Sequence, residues 1–314
     1  MKIAVTATSL KPGESGVLNR LEAFADEIVY NPYGRPLSED ELIPFLQGCE
    51  GYIAGLDYIT KKVINSVDKL KVISRYGAGV DRIDLEAART RGIIVCNTPG
   101  VNAQAVADLA MGLMLSLARK IHMLDKKTRE GQWIRSTGIE LFGKTIGIIG
   151  LGAVGKGVAR RAQGFSMKVL AYDPFINRQY AEENNITISE FGALIREADI
   201  ICLHLPLTPE TRRLISAEVM QSMKKGAIII NTARGGLIEE EAAYRLLKSG
   251  RLGGLGLDVY EEEPPKKSPL FDLDNVILTP HIASHTHEAA AAMASMSVDN
   301  LITVLSGKSC PYTV

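Results

Sequence analysis

The chain has 314 residues, 36 basic and 36 acidic side chains for a formal net charge of zero, 46% hydrophobic residues and 23% charged ones. That length suits two domains or one large α/β unit, the composition excludes disorder, and a net charge of zero removes the electrostatic argument for a nucleic-acid or anionic-membrane partner. Cys49, Cys96, Cys202 and Cys310 are widely separated with no Cys-x-x-Cys, which argues against a disulfide framework or zinc ribbon and fits a reducing cytoplasm. The opening MKIAVTATSL has one lysine and a short apolar run, then Pro12 and Gly13, so it reads as a first strand and not as a secretory leader. No apolar run reaches the roughly 18 residues of a membrane span.

Along the chain, short apolar runs alternate with amphipathic stretches, the pattern of a parallel sheet with crossover helices. The first hundred residues predict strands at 2–6, 27–30, 52–55, 71–74 and 92–96, with helices at 40–46 and 84–90, although Pro44 disfavours the first of these. Residues 101–124 carry apolar side chains on nearly every face of a helix, among them Leu109, Met111, Leu113, Met114, Leu115 and Leu117. A helix apolar all round must be buried, and at the end of a small domain a subunit interface or an interdomain seam would bury it. A homodimer through this helix is expected. A second series of strands is predicted at 145–149, 168–172, 200–203, 227–231, 254–258 and 275–279, six in all and the count of a dinucleotide-binding sheet. Residues 288–306 read as a long helix that returns to the first domain and makes it discontinuous.

The segment TIGIIGLGAVGKGVARR contains Gly150, Gly152, Ala153, Val154 and Gly155 in a G-x-G-x-x-G. Alone that pattern is weak; here it follows an apolar strand and opens a helix, the context it requires. Gly150 permits the turn, Gly152 lets backbone approach a pyrophosphate, Gly155 permits close helix–sheet packing, and the helix N-terminus offers unpaired N–H groups. Asp173, 18 residues past Gly155, ends the next strand, where a carboxylate accepts ribose hydroxyls and repels a 2′-phosphate. NAD is therefore preferred over NADP, with Arg178 five residues on partly offsetting the repulsion.

Arg234 follows one strand of the second series, Asp258 closes another, Glu263 lies in the turn after it, and His281 follows a third. All lie on the sheet edge where ligands of such folds bind. Reducing a 2-oxo acid requires a fixed cation for the carboxylate and carbonyl oxygen, which arginine's planar fork suits, and a proton donor, which histidine suits. A carboxylate beside that histidine would orient it and favour its charged form. Arg234, His281 and Glu263 fit these three roles. His281, His285 and His287 also raise a metal site, but no cysteine or acidic cluster accompanies them, and no metal is expected.

In order, SRYGAGVDRIDLEAA, NTPGVN, GKTIGIIGLGAVGKGVA, CLHLPLTPET, INTARGGLIEE, LDVYEEEP and TPHIAS resemble the D-isomer-specific 2-hydroxyacid dehydrogenases, and among them the short phosphoglycerate dehydrogenase-like branch, from about Leu70 to His287. The spacing of 24 residues from Arg234 to Asp258 and five more to Glu263 belongs to the resemblance. It implies two doubly wound parallel-sheet α/β domains: a Rossmann NAD-binding domain at 101–285 and a smaller, flavodoxin-like substrate domain at 1–100 plus 286–314. It further implies that Arg234 binds and polarises substrate, that His281 paired with Glu263 is the acid/base, and that Asp258 contacts the nicotinamide amide. The loop Tyr76, Gly77, Ala78 and Gly79 would offer backbone N–H groups to the substrate carboxylate. Thr232, Ala233, His204 and Pro206 fall where this family lines the cofactor, although His204 also fits a packed strand end.

Arg75 and Arg135 stand where the resemblance allows a substrate-phosphate contact, and each reads equally as a surface ion pair. Two departures are visible: Ala283, Ser284 and His285 replace the usual glycine and small residues after the histidine, where His285 would narrow the site, and Asp108 stands in place of glutamate. The chain ends at Val314 without the regulatory domain of longer phosphoglycerate dehydrogenases, so serine feedback through one is not expected. The expected function is NAD-dependent oxidation of a D-2-hydroxyacid, D-3-phosphoglycerate first, with glyoxylate or hydroxypyruvate reduction as the alternative and an NAD(H)-sensing corepressor-like role as a reading of another class. Closure of the domains near residues 98–102 and 284–288 would exclude water during hydride transfer.

Overall fold

The structure, a computed structural model, describes residues 1–13 and 16–314. The chain divides into two compact units, one of Met1–Asn102 with Thr286–Val314 and one of Ala103–His285.

In the first unit the strands β1 (Lys2–Val5), β2 (Glu27–Tyr30), β3 (Gly51–Ala54), β4 (Val72–Arg75) and β5 (Ile94–Cys96) form a parallel sheet in the order β2-β1-β3-β4-β5. That is the flavodoxin-like order of a doubly wound sheet. Alternation along each strand divides the side chains between two covers. Ile3, Val5, Ile53 and Val72 pack with Leu18 and Leu21 of the helix Gly16–Phe24 and with Met293, Val298 and Leu301 of the helix His287–Leu305. Ala4, Tyr52, Ala54 and Ile73 face Leu42, Val63, Ile64, Ala87 and Ala88 of the helices Glu39–Phe45, Lys61–Ser66 and Leu85–Thr90. Pro44 does not prevent the first of these three. A capping box, with Ser38 N donating to Glu41 Oε2 at 2.9 Å, starts that helix, and Pro44 lies in its last turn.

In the second unit β6 (Thr145–Ile149), β7 (Lys168–Tyr172), β8 (Thr187–Ile188), β9 (Ile200–Leu203), β10 (Ala227–Asn231), β11 (Leu252–Leu257) and β12 (Val276–Leu278) form a parallel sheet in the order β12-β11-β10-β9-β6-β7-β8. The expected pair of doubly wound sheets is thus observed, with a seventh strand in the larger one. The addition, β8, is a two-residue edge strand against Leu170 and Ala171, too short for alternation to register. The strand order reverses on the two sides of β6, which opens a crevice at the carboxyl ends of β6 and β9.

The apolar stretch 101–124 is not one helix. It breaks at Lys120, whose φ is +56°, into the helices Ala103–Arg119 and Ile121–Arg129. The first is covered by its own unit, where Ala107, Ala110, Met111, Leu113, Met114 and Leu117 pack with Ile146, Ile148, Ile228 and Ile230 of the sheet and Val158 of the helix Ala153–Gly164. Close approach is built in, since a Cβ on Gly157 would stand 3.0 Å from that of Ala107. This helix is therefore buried without a partner subunit, whereas the sequence pattern pointed to a subunit interface or interdomain seam.

Candidate active site

The candidate cofactor and catalytic residues of the second unit sit at or beyond the carboxyl ends of strands. After β6, Gly150 turns the chain with φ of +100°, and a Cβ there would lie 2.7 Å from the His204 carbonyl, so only glycine fits. Gly155, one turn into the helix Ala153–Gly164, is held so close that a Cβ would stand 2.0 Å from Gly150 O. Gly152, the helix N-cap, has open space beside it instead, and Gly152 and Ala153 are exposed while Val154 is half-buried. Asp173, just past β7, accepts from Leu151 N at 2.7 Å and from Phe175 N at 2.8 Å. It therefore braces the glycine turn as well as offering its remaining lone pairs outward.

On the next two strands, Leu203 of β9 pairs with Asn231 of β10, so His204 and Thr232 follow side by side. His204 Nε2 and Thr232 Oγ1 are both buried and have no hydrogen-bond partner among the described residues. Two orphaned polar atoms, an open glycine and a helix N-terminus on one crevice fit a dinucleotide, because a ligand with hydroxyl and amide groups would satisfy atoms that otherwise carry a desolvation cost. Ala233 is half-buried and Pro206 exposed at the same edge. Burial holds His204 down to about 4. Its depressed folded value means that stability present above the ordinary histidine range is lost as pH falls from about 6.5 toward 4. His204→Gln should remove up to about 3 kcal/mol of that pH-dependent loss, read as the difference between urea unfolding curves of the two proteins at each pH. Superimposable pH profiles would contradict a buried neutral imidazole.

Arg234 is carried on a turn organised by a residue that the sequence reading passed over. Asn231, fully buried, donates from Nδ2 to Arg234 O at 2.8 Å and accepts at Oδ1 from Ala233 N at 3.0 Å. Gly235 presses this turn onto the next segment, where a Cβ would stand 1.9 Å from the Tyr260 carbonyl carbon. The Arg234 side chain is half-buried, with Nη1 donating to Ala233 O at 2.6 Å.

His281 and Glu263 meet directly, with His281 Nδ1 2.8 Å from Glu263 Oε2 and side-chain exposures of 27% and 14%. A carboxylate only accepts, so Nδ1 carries the shared proton and Nε2 is the nitrogen available for exchange. Glu263 Oε1 accepts from Tyr260 N at 3.1 Å, and Tyr260 OH donates to Thr279 O at 2.8 Å. Burial first, then Asp258, Glu263 and Glu240, push the Tyr260 phenol up to about 12, so it remains a neutral donor. Asp258, for which the resemblance implies a nicotinamide contact, lies just past β11. It has no exposed surface, and its carboxylate is taken by Thr279 Oγ1, Ile282 N and Ala283 N at 2.6, 2.8 and 2.8 Å.

In the first unit the loop after β4 is narrower in its offer than the resemblance implies. Tyr76 N donates to Ala54 O and Gly77 N to Thr98 Oγ1, each at 3.0 Å, which leaves the Ala78 and Gly79 amides as the two without an acceptor among the described residues. Arg75 folds its guanidinium onto Gly79 O, Ala54 O and Tyr76 O. It braces the loop from behind, and a Cβ on Gly77 would stand 3.2 Å from its Nη1. Arg135 and His285 are exposed. Asp108 pairs with Arg161 at 2.6 Å across two helices of the second unit. No group of three or more His, Cys, Asp or Glu side chains placed to hold a metal occurs among the described residues. Nor is any described helix long and apolar enough to cross a membrane.

Residues 111–283 match the family described as D-isomer specific 2-hydroxyacid dehydrogenase, NAD binding domain. The chain is 48% identical over 253 residues to the D-3-phosphoglycerate dehydrogenase of Methanocaldococcus jannaschii, covering 80% of this chain and 48% of that protein. It thus spans about half the length of that relative. It is 41% identical to the glyoxylate reductase of Thermofilum pendens, covering 100% of this chain and 94% of that one. Among solved structures it is similar to the apo form of D-lactate dehydrogenase from Escherichia coli, with a TM-score of 0.86, 34% identity and 100% of both chains covered.

Proposed function

Because the chain belongs to the D-isomer specific 2-hydroxyacid dehydrogenase family, we propose that it interconverts a D-2-hydroxy acid and its 2-oxo acid with NAD. The observation that carries this reading is the 2.8 Å His281–Glu263 pair on the same sheet edge as Arg234 and the glycine turn. When bound, NAD supplies or accepts the hydride; Gly150, Gly152, Ala153, Val154, Gly155, Asp173, His204, Pro206, Thr232 and Ala233 would hold it. In the reducing direction His281 delivers its Nε2 proton to the developing alkoxide, while Glu263 keeps the ring oriented and stabilises its charge. Arg234 grips the carboxylate and draws on the carbonyl oxygen through its planar fork. In the smaller unit the Ala78 and Gly79 amides are the donors proposed for substrate. A sensor of NAD(H) would need no proton donor, so the oriented histidine favours the enzyme.

We propose D-3-phosphoglycerate as substrate, supported by the 48% identity to such an enzyme. Reduction of glyoxylate or hydroxypyruvate is the second reading, favoured by the full-length likeness to a glyoxylate reductase and by the engagement of Arg75 with its own loop. NADH oxidation with phosphohydroxypyruvate, hydroxypyruvate and glyoxylate decides between them. A preference of tenfold or more in kcat/KM for the phosphorylated acid is expected; parity or the reverse order would remove phosphoglycerate. We also propose a homodimer, now through the stretch that follows the buried helix, since Ile121, Trp133, Ile134, Ile139 and Phe142 are exposed, Trp133 to 83%. Sedimentation equilibrium should give twice the chain mass, and a monomer at micromolar concentration would refute this.

A further inference from the structure

We propose that Cys96 and Cys310 form a reversible covalent latch, in which a low-molecular-weight disulfide converts the two thiols to a cystine that ties residues 306–314 to the edge strand β5. Both cysteines belong to the first unit. Cys96 closes β5, the outer strand of its sheet. Beyond the helix His287–Leu305 the chain returns to that edge. There Cys96 pairs with Thr313 in an antiparallel bridge, Asn97 N donates to Tyr312 O at 3.1 Å, and Val314 N donates to Val95 O at 3.0 Å. The returning segment thus covers backbone groups that an open edge would leave unpaired. Within residues 306–314 only Cys310 is buried, at 5% exposure, so this one side chain anchors the segment.

The two thiols meet behind that anchor. Cys310 donates from Sγ to Asn300 Oδ1 at 3.3 Å, and Asn300 donates from Nδ2 to Asn97 O at 2.9 Å, so one buried amide spans the Cys310 thiol and the residue after Cys96. The ionisable group that acts on the Cys96 thiol, by a hydrogen bond and by charge, is Cys310. Cys49 donates to Phe45 O and Gln47 O, and Cys202 is packed in the core of the second unit, so neither joins this pair. Burial first, then Cys310, pushes the Cys96 thiol up to about 12, so Cys96 does not start an exchange. Cys310, with exposed residues on both sides, is the entry. Its thiolate attacks one sulfur of the small disulfide and releases one thiol; the Cys96 sulfur then attacks the Cys310 sulfur of the mixed disulfide and releases the second. The protein loses two electrons and two protons, and the small disulfide gains them as two thiols. In reducing surroundings the pair rests as thiols, so the latch follows the thiol–disulfide balance around the protein. It closes one residue from the supports of the loop after β4, where Asn97 Nδ2 donates to Ala78 O at 2.7 Å and Thr98 N to Gly77 O at 3.0 Å.

The test incubates the reduced, folded chain with oxidised glutathione at mildly alkaline pH. Thiols counted after denaturation should fall from four to two, and the intact mass should drop by about 2 Da as the cystine closes. Peptide mapping should link Cys96 to Cys310 and find Cys49 and Cys202 free, and dithiothreitol should restore all four thiols. Closure should take hours, because Cys96 is a poor thiolate. In the linked chain, hydrogen exchange at the Asn97 and Val314 amides should slow by about tenfold, and the apparent Tm should rise by about 5 °C. Cys310→Ser should keep its three thiols and gain no Tm. Four free thiols after prolonged incubation, a glutathione adduct on Cys310 that never closes, or a linkage through Cys49 or Cys202 would each overturn the proposal. Unchanged exchange at Asn97 and Val314 in the linked chain would overturn the latch. The wild-type readings decide the matter even if Cys310→Ser fails to fold.

Discussion

His281→Ala is expected to lower kcat for 2-oxo acid reduction by about 10³-fold, the middle of the range for a positioned general acid with a paired carboxylate, while NADH binds as in the wild type. The ring makes no hydrogen bond that the glycine turn depends on; its partner is Glu263 at 2.8 Å, 18 residues earlier in the chain. Truncation removes the proton donor and leaves Glu263 held by Tyr260 N. Steady-state kinetics with a fluorescence titration of NADH separate the two effects. Retention of turnover within tenfold would mean that the proton comes from elsewhere.

Arg234→Ala should reduce kcat/KM by about 10³-fold, because a carboxylate held by two charge-assisted hydrogen bonds loses about 3–6 kcal/mol when both go. Arg234→Lys restores the charge without the planar fork and should recover only about one of the three orders of magnitude lost. The turn itself should survive either change. Asn231 binds Arg234 O and Ala233 N, both backbone atoms, and Gly235 keeps its close approach to Tyr260. Full recovery by lysine would show that Arg234 acts as a point charge, and unchanged kcat/KM in the alanine variant would remove it from the substrate.

Much of the fold was legible because its strands are runs of β-branched and aliphatic residues buried on both faces. The predicted 145–149, 168–172, 200–203 and 227–231 coincide with β6, β7, β9 and β10. Where glycine sits inside a strand the reading slipped. β11 begins at Leu252, two residues before its predicted start, because Gly253 and Gly254 look like a turn. In the structure Gly253 is packed where a Cβ would lie 2.2 Å from Gly226 O, beside the irregular register at Ala227 and Ile228. The break at Lys120 was invisible for the opposite reason, since lysine carries no signal for a left-handed residue.

Within the candidate site, residues that end strands could be placed from sequence, because a parallel sheet presents its carboxyl ends together. Partners were not legible. Asp258 reaches donors 21, 24 and 25 residues further along the chain, and Asn231 serves two backbone atoms that no pattern marks. Arg75 shows the same limit, since a cation next to a glycine loop reads as a ligand group until its carbonyl acceptors are seen.

The most direct measurement mixes the purified protein with NADH and a prochiral 2-oxo acid, hydroxypyruvate or its phosphate, follows absorbance, and resolves the product on a chiral column. NADH loss matched one-to-one by the D-2-hydroxy acid is expected, with both abolished in His281→Ala. An L product, or NADH that binds but is never oxidised by any 2-oxo acid, would contradict it.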